Sequence, residues 1–378
     1  MTRTIEDFLP EYLRGLPVYV PGRPIEEVER ELKIHAIKLA SNENPLGPSP
    51  KAMEAARCAL PESHRYPEGG TLRLRERLAG LHNVQPGEIF IGLGSSEIID
   101  VAARVMLRAG RIGLTSEGSY PPFSTGIRAN GGQLALKPMK EFAFDLRAIA
   151  GAVTAETRII YLANPNNPTG TAFSGAELNE FLSQVPEDVL VVLDEAYIHY
   201  ANRATMPRSV DLFRRHKNLL ILRTFSKIFG LAGLRIGYAI GLSALVEVMN
   251  KLRTPFNVSC VAQAAALAAL DDDAHVRRSI ETNAVERKRL EDRLAELGMK
   301  PVASQTNFVF VEVGAAAKEI CDDLLHAGSI VRPMAWMGFP KALRVSVGTA
   351  DENGKFLETV ARVWPKYAGA VKSEMSVR

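Results

Sequence analysis

Six short apolar runs, separated by segments with helical spacing, constrain the fold of this chain more than any other feature. They are rich in β-branched residues and apolar at consecutive positions, which is typical of strands buried on both faces of a mostly parallel sheet. The runs are residues 88–93, 111–116, 158–164, 189–196, 219–226 and 236–241. Segments between them, such as GAELNEFLSQVP, have helical spacing, so strands and helices alternate. The pattern predicts an α/β domain.

The character of the sequence changes after about residue 260. A long helix-forming region, interrupted near Asp271–Asp273, precedes two apolar runs with a further helical segment between them. These are residues 308–313, 317–328 and 342–348. A chain of 378 residues suits two domains, and the second part reads as a smaller α+β unit. We predict a large domain at 38–260 and a small domain formed by 261–378 and a proline-punctuated arm at 1–37.

Composition and charge exclude several classes of protein. The net charge is +3, which gives no reason to expect a nucleic-acid or membrane partner. The cysteines Cys58, Cys260 and Cys321 form no CxxC pair, so we expect neither a disulfide framework nor a bound metal. The N-terminal segment lacks the apolar core of a signal peptide, and no run approaches the ~18–20 apolar residues of a spanning helix. These features predict a soluble, cytoplasmic protein.

A glycine-rich turn follows the first apolar run, in GLGSSEIID at 92–100. Such a turn at the start of a helix presents backbone N–H groups that suit a phosphate, although a plain turn with Ser95 as helix cap explains it equally well. Glu97 stands where the third glycine of a dinucleotide fingerprint belongs, and no GxxxxGK[ST] loop is present. A nicotinamide dehydrogenase is therefore excluded.

Polar residues also follow three later buried runs, at 158–164, 189–196 and 219–226. The loop NPNNPTG (164–170) places amides at the carboxyl end of a strand, where open α/β sheets bind ligands. Asp194, in LDEAY, ends another run, so its burial demands a cationic partner such as a protonated pyridine nitrogen, unless it only caps the next helix. Lys227 lies among Phe225, Ile228 and Phe229, an apolar setting that fits a desolvated nucleophile or base, although a lysine on a helix flank is the simpler explanation of this motif taken alone. Taken together, these clusters indicate one site.

These motifs, in this order, resemble fold-type I aminotransferases that depend on pyridoxal 5′-phosphate (PLP). NPNNPTG, DEAY and a serine–lysine pair followed eight residues on by Arg235 carry the resemblance. More narrowly, NENPLGPSP (42–50), HRYPEGG (64–70), TNFVFV (306–311) and ALRVSVGT (342–349) are similar to the histidinol-phosphate aminotransferase branch. The resemblance spans nearly the whole chain. It implies a large PLP-binding domain with a mostly parallel seven-stranded sheet between helices, and a smaller α+β domain.

The resemblance also implies the roles of the cofactor-binding residues. Lys227 is expected to hold PLP as a Schiff base, Asp194 to pair with the pyridine nitrogen, and Tyr197 and Asn167 to donate hydrogen bonds to the 3′-oxygen. Tyr120 is expected to stack on the ring, and Tyr66 to reach the cofactor phosphate of the neighbouring subunit in a homodimer with shared active sites. The residues expected to bind the cofactor phosphate are Ser95, Ser96, Thr224, Ser226 and Arg235.

For the substrate, the resemblance implies two arginines. Arg344 is expected to hold the carboxylate of an amino acid substrate. Histidinol phosphate has no carboxylate, so its phosphate is expected to occupy the same region, where Arg332 adds a second positive charge. Tyr19, Asn44 and Asn167 are also expected to contact the substrate. The implied reaction converts L-histidinol phosphate and 2-oxoglutarate into imidazole-acetol phosphate and L-glutamate, in histidine biosynthesis.

Three segments depart from the branch pattern and keep other substrates open. Residues 68–70 are Glu-Gly-Gly, where the branch more often has a turn with a shorter acid or a proline. The segment GSYPPF around Tyr120 is atypical of the branch. In residues 334–340, Trp336 and Met337 stand where the branch has a smaller residue and a tyrosine before the glycine. A more apolar pocket favours an aromatic aminotransferase acting on phenylalanine or tyrosine. A threonine-phosphate-type decarboxylase shares the ancestry. A PLP-sensing regulator needs a DNA-binding module, and no basic helix-turn-helix segment precedes residue 40.

Overall fold

The computed structural model describes residues 5–16, 18 and 22–369. The strands are β1 (Ile37–Lys38), β2 (Ile89–Gly92), β3 (Ile112–Ser116), β4 (Gln133–Lys137), β5 (Thr157–Ala163), β6 (Leu190–Asp194), β7 (Leu219–Thr224), β8 (Gly237–Ile240), β9 (Lys300–Val302), β10 (Phe308–Glu312), β11 (Ser329–Ile330), β12 (Arg332–Pro333) and β13 (Ala342–Ser346). The α-helices are α1 (Ile25–Leu32), α2 (Pro50–Ala59), α3 (Leu72–His82), α4 (Gly94–Met106), α5 (Pro121–Ala129), α6 (Leu146–Ala150), α7 (Gly175–Gln184), α8 (Ser209–Arg215), α9 (Ser243–Leu252), α10 (Cys260–Ala269), α11 (Asp273–Glu296), α12 (Ala317–His326) and α13 (Ala350–Val363).

The large sheet has seven strands in the order β2-β8-β7-β6-β5-β3-β4. All are parallel except β8, which runs antiparallel to both of its neighbours. The six apolar runs of the sequence are strands of this sheet, and the predicted α/β class is confirmed. The seventh strand, β4, lies at the sheet edge with Leu136 40% exposed, so it carries no continuous apolar run.

Parallel pairing brings the polar clusters to one edge of this sheet. In the pairing register, Ala163 at the end of β5 lies opposite Asp194, which in turn lies opposite Leu222 of β7. The loops that leave these strands therefore emerge side by side. The turn after β2 joins them across β8, where a Cβ on Gly237 would lie 2.9 Å from the backbone of Gly94. A side chain at Gly237 would force these two backbones apart.

The cores of the two sheets are separate. The central strands of the large sheet are fully buried, as at Val191, Val192 and Leu193, and buried residues of α4 and α10 pack on the same core. Burial of each such side chain stabilises the fold by roughly 1.5–3 kcal/mol. Among the described residues, no helix is long and apolar enough to cross a membrane.

The C-terminal part forms an antiparallel sheet of four strands in the order β12-β13-β10-β9. Its core combines strand residues such as Val309 and Val345 with Leu290 of α11, Ile320 of α12 and Phe356 of α13. A short parallel pair of β1 and β11 ties residues 37–38 to this part of the chain. The predicted smaller α+β unit is confirmed, since this sheet and its helices form a core of their own. The domain limits at residues 37/38 and 260/261 remain a prediction.

Candidate active site

A cavity opens at the carboxyl edge of the large sheet, between it and the small sheet. The residues that line it include most of the predicted site residues, brought together from both sheets and from residues 40–42. The predicted residues in its lining are Ser95, Ser96, Tyr120, Asn167, Asp194, Tyr197, Thr224, Ser226, Lys227, Arg235, Arg332 and Arg344. The turn after β7 holds Lys227 in place, because Phe225 and Ile228 on either side are buried in the core.

The Lys227 amine is positioned by backbone carbonyls of the N-terminal segment. Its Nζ donates to the carbonyl oxygens of Asn42 at 3.1 Å and Ser41 at 3.4 Å. It also lies 5.6 Å from the centre of the Tyr197 ring. Burial, reinforced by the positive charge of Arg344, lowers the pKa of Lys227 from its usual value to about 8. A useful fraction of this amine is therefore neutral and nucleophilic near neutral pH.

Asp194 is a buried carboxylate whose contacts within the protein only partly offset the cost of its burial. It is 5% exposed, and its Oδ1 accepts a hydrogen bond from the backbone N–H of Ala196 at 3.0 Å. Burial raises the pKa of Asp194 to about 7 despite this bond. A cationic ligand group beside the carboxylate would restore its charge.

The raised pKa of Asp194 has a consequence for stability. The folded ligand-free protein retains a proton that the unfolded chain releases between its usual pKa of 3.8 and about 7, so stability falls as pH rises through this window. Asp194→Asn cannot ionise and should raise the free energy of unfolding by about 2–4 kcal/mol at pH ~8. At pH ~4 the two proteins should differ little. Urea unfolding at both pH values measures this, and an equal difference at both would contradict it.

One end of the cavity is built for an anion. It lies at the N-terminus of α4, where Gly94 has a φ of +74° and a Cβ would lie 2.8 Å from Nη2 of Arg235. The guanidinium of Arg235 therefore packs directly against the backbone of Gly94, where a side chain would not fit. Its Nη1 donates to the Ala232 carbonyl at 3.0 Å and to Ser226 Oγ at 3.4 Å. Helix-terminal N–H groups beside a guanidinium fork suit a phosphate.

The other polar groups at this end contact one another. Ser96 Oγ lies 3.2 Å from Tyr120 Oη. Thr224 Oγ1 accepts a hydrogen bond from the Ser226 backbone N–H at 3.0 Å, so this hydroxyl also holds the turn that leads to Lys227.

The opposite end carries two arginines from the small sheet. Arg332 of β12 and Arg344 of β13 are paired across neighbouring strands. Arg344 donates to Oδ1 of Asn167 at 2.5 Å and to the Ala40 carbonyl at 2.9 Å, so the NH₂ of Asn167 is left as a donor. The guanidinium of Arg332 stacks on Trp336, 4.9 Å from the ring centre.

The charges of the lining are strongly unequal. Among the described residues that line the cavity, Lys227, Arg235, Arg332 and Arg344 are cationic, whereas Asp194 supplies the carboxylate. The cationic groups lie at both ends, and the carboxylate and the amine lie between them. The cavity therefore suits ligands that together carry several negative charges and one buried positive charge.

Three predicted residues do not line this cavity or cannot be placed. Asn44 is buried, but its amide donates to the Ile228 carbonyl and Ser279 Oγ and accepts from the Leu46 N–H, so it fixes the local backbone. Tyr66 is 82% exposed and stacks on Phe256 instead. Tyr19 lies outside the described residues.

Asn42, two residues before Asn44, lines the cavity in its place, although sequence reasoning passed it over. The signal was present in the NEN triplet, but a single sequence does not tell which of the two asparagines faces the cavity.

Comparisons with known proteins agree with this geometry. The family profile described as aminotransferase class I and II matches residues 34–360. Histidinol-phosphate aminotransferase 2 of Pseudomonas fluorescens (strain Pf0-1) is 44% identical over 354 residues, 93% of this chain and 96% of that protein. A histidinol-phosphate aminotransferase of Anaeromyxobacter sp. (strain Fw109-5) is also 44% identical, over 94% of this chain and 98% of that protein.

Among solved structures, histidinol-phosphate aminotransferase from Sinorhizobium meliloti, in complex with pyridoxal-5′-phosphate, superposes with a TM-score of 0.87 at 30% identity. The match covers 95% of this chain and 98% of that one. The relatives at 44% identity and the family profile both span most of the sequence, and the site lies within the matched region. The chain belongs to the aminotransferase class I and II family.

Proposed function

We propose that this chain is a PLP-dependent aminotransferase that transfers the amino group of L-histidinol phosphate to 2-oxoglutarate, a step of histidine biosynthesis. The observation that carries the proposal is the charge pattern of the cavity, with a lysine and a buried carboxylate between two cationic ends. One end suits the cofactor phosphate and the other the anionic group of the substrate. The two relatives at 44% identity are histidinol-phosphate aminotransferases, which supports the same substrate.

The residues of the cavity fit PLP. The buried carboxylate of Asp194, whose pKa is raised to about 7 in the ligand-free protein, matches a protonated pyridine nitrogen. The helix terminus at Gly94, with Arg235 against it, matches the phosphate. Lys227 offers a partly neutral amine for the covalent attachment.

The chemistry is divided between cofactor and protein. When bound, PLP supplies an electron sink for the carbanion formed at the substrate Cα. Asp194 would keep the ring nitrogen of bound PLP protonated by its negative charge. The Lys227 amine would serve as the base that takes the proton from the substrate Cα. Tyr197 and Asn167 face the cavity as hydrogen-bond donors, and Tyr120 covers it from the α5 side.

The two arginines at the small-sheet end account for both substrates. Arg344 and Arg332 lie side by side and can bind the phosphate of histidinol phosphate through charge-assisted hydrogen bonds. In the second half-reaction the same pair can serve the carboxylates of 2-oxoglutarate. The phosphate of histidinol phosphate offers this pair more negative charge than the single carboxylate of phenylalanine, which favours the phosphorylated donor.

A second candidate substrate class rests on the apolar wall of the cavity. Trp336 and Met337 both line it, next to Arg332. This wall suits the ring of phenylalanine or tyrosine, so an aromatic aminotransferase is the alternative.

A panel of amino donors assayed with 2-oxoglutarate separates these functions. The kcat/KM for histidinol phosphate should exceed that for phenylalanine by at least about 10²-fold, because phenylalanine offers the two arginines one singly charged carboxylate in place of a phosphate. Arg332→Gln should lower kcat/KM for histidinol phosphate more than for phenylalanine. A clear preference for phenylalanine would establish the alternative. Release of CO₂ from threonine phosphate without a keto acid would indicate a decarboxylase.

The homodimer with shared active sites is part of the proposal. Tyr66 does not line the cavity of its own chain and is 82% exposed, and its stacking partner Phe256 is 45% exposed. Leu60 and Leu72 nearby in sequence are also more than half exposed. An apolar surface of this kind supports a second copy that receives Tyr66 at its cofactor phosphate. Light scattering should give twice the mass of one chain.

The cytoplasmic location remains a prediction.

A further inference from the structure

Asn42 connects the small sheet to the two groups at the centre of the cavity. It is 1% exposed and adopts a left-handed backbone with φ of 55°. Its carbonyl oxygen accepts hydrogen bonds from Lys227 Nζ and from Asn307 Nδ2, each at 3.1 Å. Its side-chain Nδ2 donates to Tyr197 Oη at 3.1 Å. One residue thus contacts both the lysine and the tyrosine.

Ser346 fixes which way the Asn42 amide faces. Its Oγ accepts the backbone N–H of Asn42 at 2.8 Å and lies 3.0 Å from Asn42 Oδ1, to which it donates. With the amide reversed, that hydroxyl would face two N–H donors and lose its own acceptor. The network therefore assigns Oδ1 to Ser346 and Nδ2 to Tyr197.

This orientation determines where the phenol proton of Tyr197 goes. An amide NH₂ donates and does not accept, so Tyr197 Oη is the acceptor in its bond with Asn42. The phenol proton must then be donated elsewhere, and Tyr197 lines the cavity. A phenol that accepts one hydrogen bond is also a stronger donor in the next.

We propose that Asn42 is a positioning residue that directs the phenol proton of Tyr197 toward the 3′-oxygen of the bound cofactor. The inference rests on the proposed function. It predicts that Asn42 holds down the pKa of the Schiff base on Lys227, because the donated proton stabilises the negative 3′-oxygen and so disfavours protonation of the adjacent nitrogen. The charged groups that act on Lys227 are Arg344, Glu43, Arg235 and Asp194. Asn42→Gly and Ser346→Ala leave this set unchanged, whereas Asn42→Asp adds a carboxylate to it.

The test is a pH titration of the absorption spectrum of the holoenzyme. Asn42→Asp keeps the shape of the side chain and tolerates a left-handed backbone, but its carboxylate accepts the phenol proton. The pKa of the Schiff base should rise by about one pH unit or more. Asn42→Gly suits the same backbone, removes the amide, and should give a smaller rise of about half a unit.

Two further variants separate orientation from structural support. In a Tyr197→Phe background, adding Asn42→Gly should give no further rise, because the phenol is already absent. Ser346→Ala keeps Asn42 intact, removes only the hydroxyl that orients it, and should raise the pKa in the same direction.

Each outcome decides the role of Asn42. If the pKa of the Schiff-base band is the same as in the wild type in both Asn42→Asp and Ser346→Ala, the positioning role of Asn42 is wrong and the proposed function stands. A lower melting temperature of these variants would not change that conclusion. The positioning role is also wrong if Asn42→Gly raises the pKa of the Schiff base equally in the wild-type and the Tyr197→Phe backgrounds. A wild-type protein that takes up PLP without forming the band overturns both.

Discussion

Replacing Lys227 with alanine should abolish both transamination and the Schiff-base absorption band. In the proposed function its amine is the nucleophile, and in the cavity it is held by the carbonyls of residues 41 and 42 with its pKa lowered to about 8. Loss of covalent attachment and of the proton-transferring group should lower kcat by at least about 10⁴-fold. Absorption spectra and steady-state rates of the purified variant measure both effects.

A matched control is available on the surface. Lys251 is exposed and pairs with Glu247 at 3.1 Å, and Lys251→Ala should leave the band and the rate unchanged. A Lys227→Ala protein that retained the band would require another lysine as the attachment site. One that lost the band and kept its rate would remove the lysine from the chemistry.

The second large effect is expected from Asp194→Ala. In the proposed function this carboxylate, buried at the end of β6, would keep the pyridine nitrogen of bound PLP charged, and without it the ring would be a poor electron sink. We expect kcat to fall by about 10³-fold. PLP methylated on the ring nitrogen carries its positive charge permanently, so it should restore part of the rate of the variant. Equal rates with both cofactors would contradict the role assigned to Asp194.

The pattern of the large sheet could be predicted because its strands are buried on both faces. Such strands are recognisable as continuous apolar runs, and parallel neighbours must present their carboxyl ends at the same edge. The convergence of Asp194 and Lys227 follows from these two facts. Strand β4 could not be found in this way, since all of its residues are at least partly exposed, whereas β2 at the opposite edge of the sheet is buried along its length.

The part of the site contributed by the N-terminal segment was beyond sequence reasoning. Asn42 and Asn44 are both buried and differ only in their partners, Tyr197 for one and the Ile228 carbonyl for the other. Those partners lie more than a hundred residues away along the chain, and a left-handed backbone at Asn42 decides which side chain turns inward. Local pattern carries no information on such long-range contacts. The relation of Arg332 to Arg344 likewise depends on strand pairing in the small sheet.

The central claim is that Lys227 holds PLP in this cavity, and borohydride trapping tests it most directly. Borohydride reduces the C=N bond of a Schiff base and leaves the cofactor permanently attached to its lysine. Digestion and mass spectrometry of the reduced holoenzyme should then find one phosphopyridoxyl group per chain, on the peptide that contains Lys227. A protein that takes up no PLP, or a label confined to a different lysine, would contradict the account.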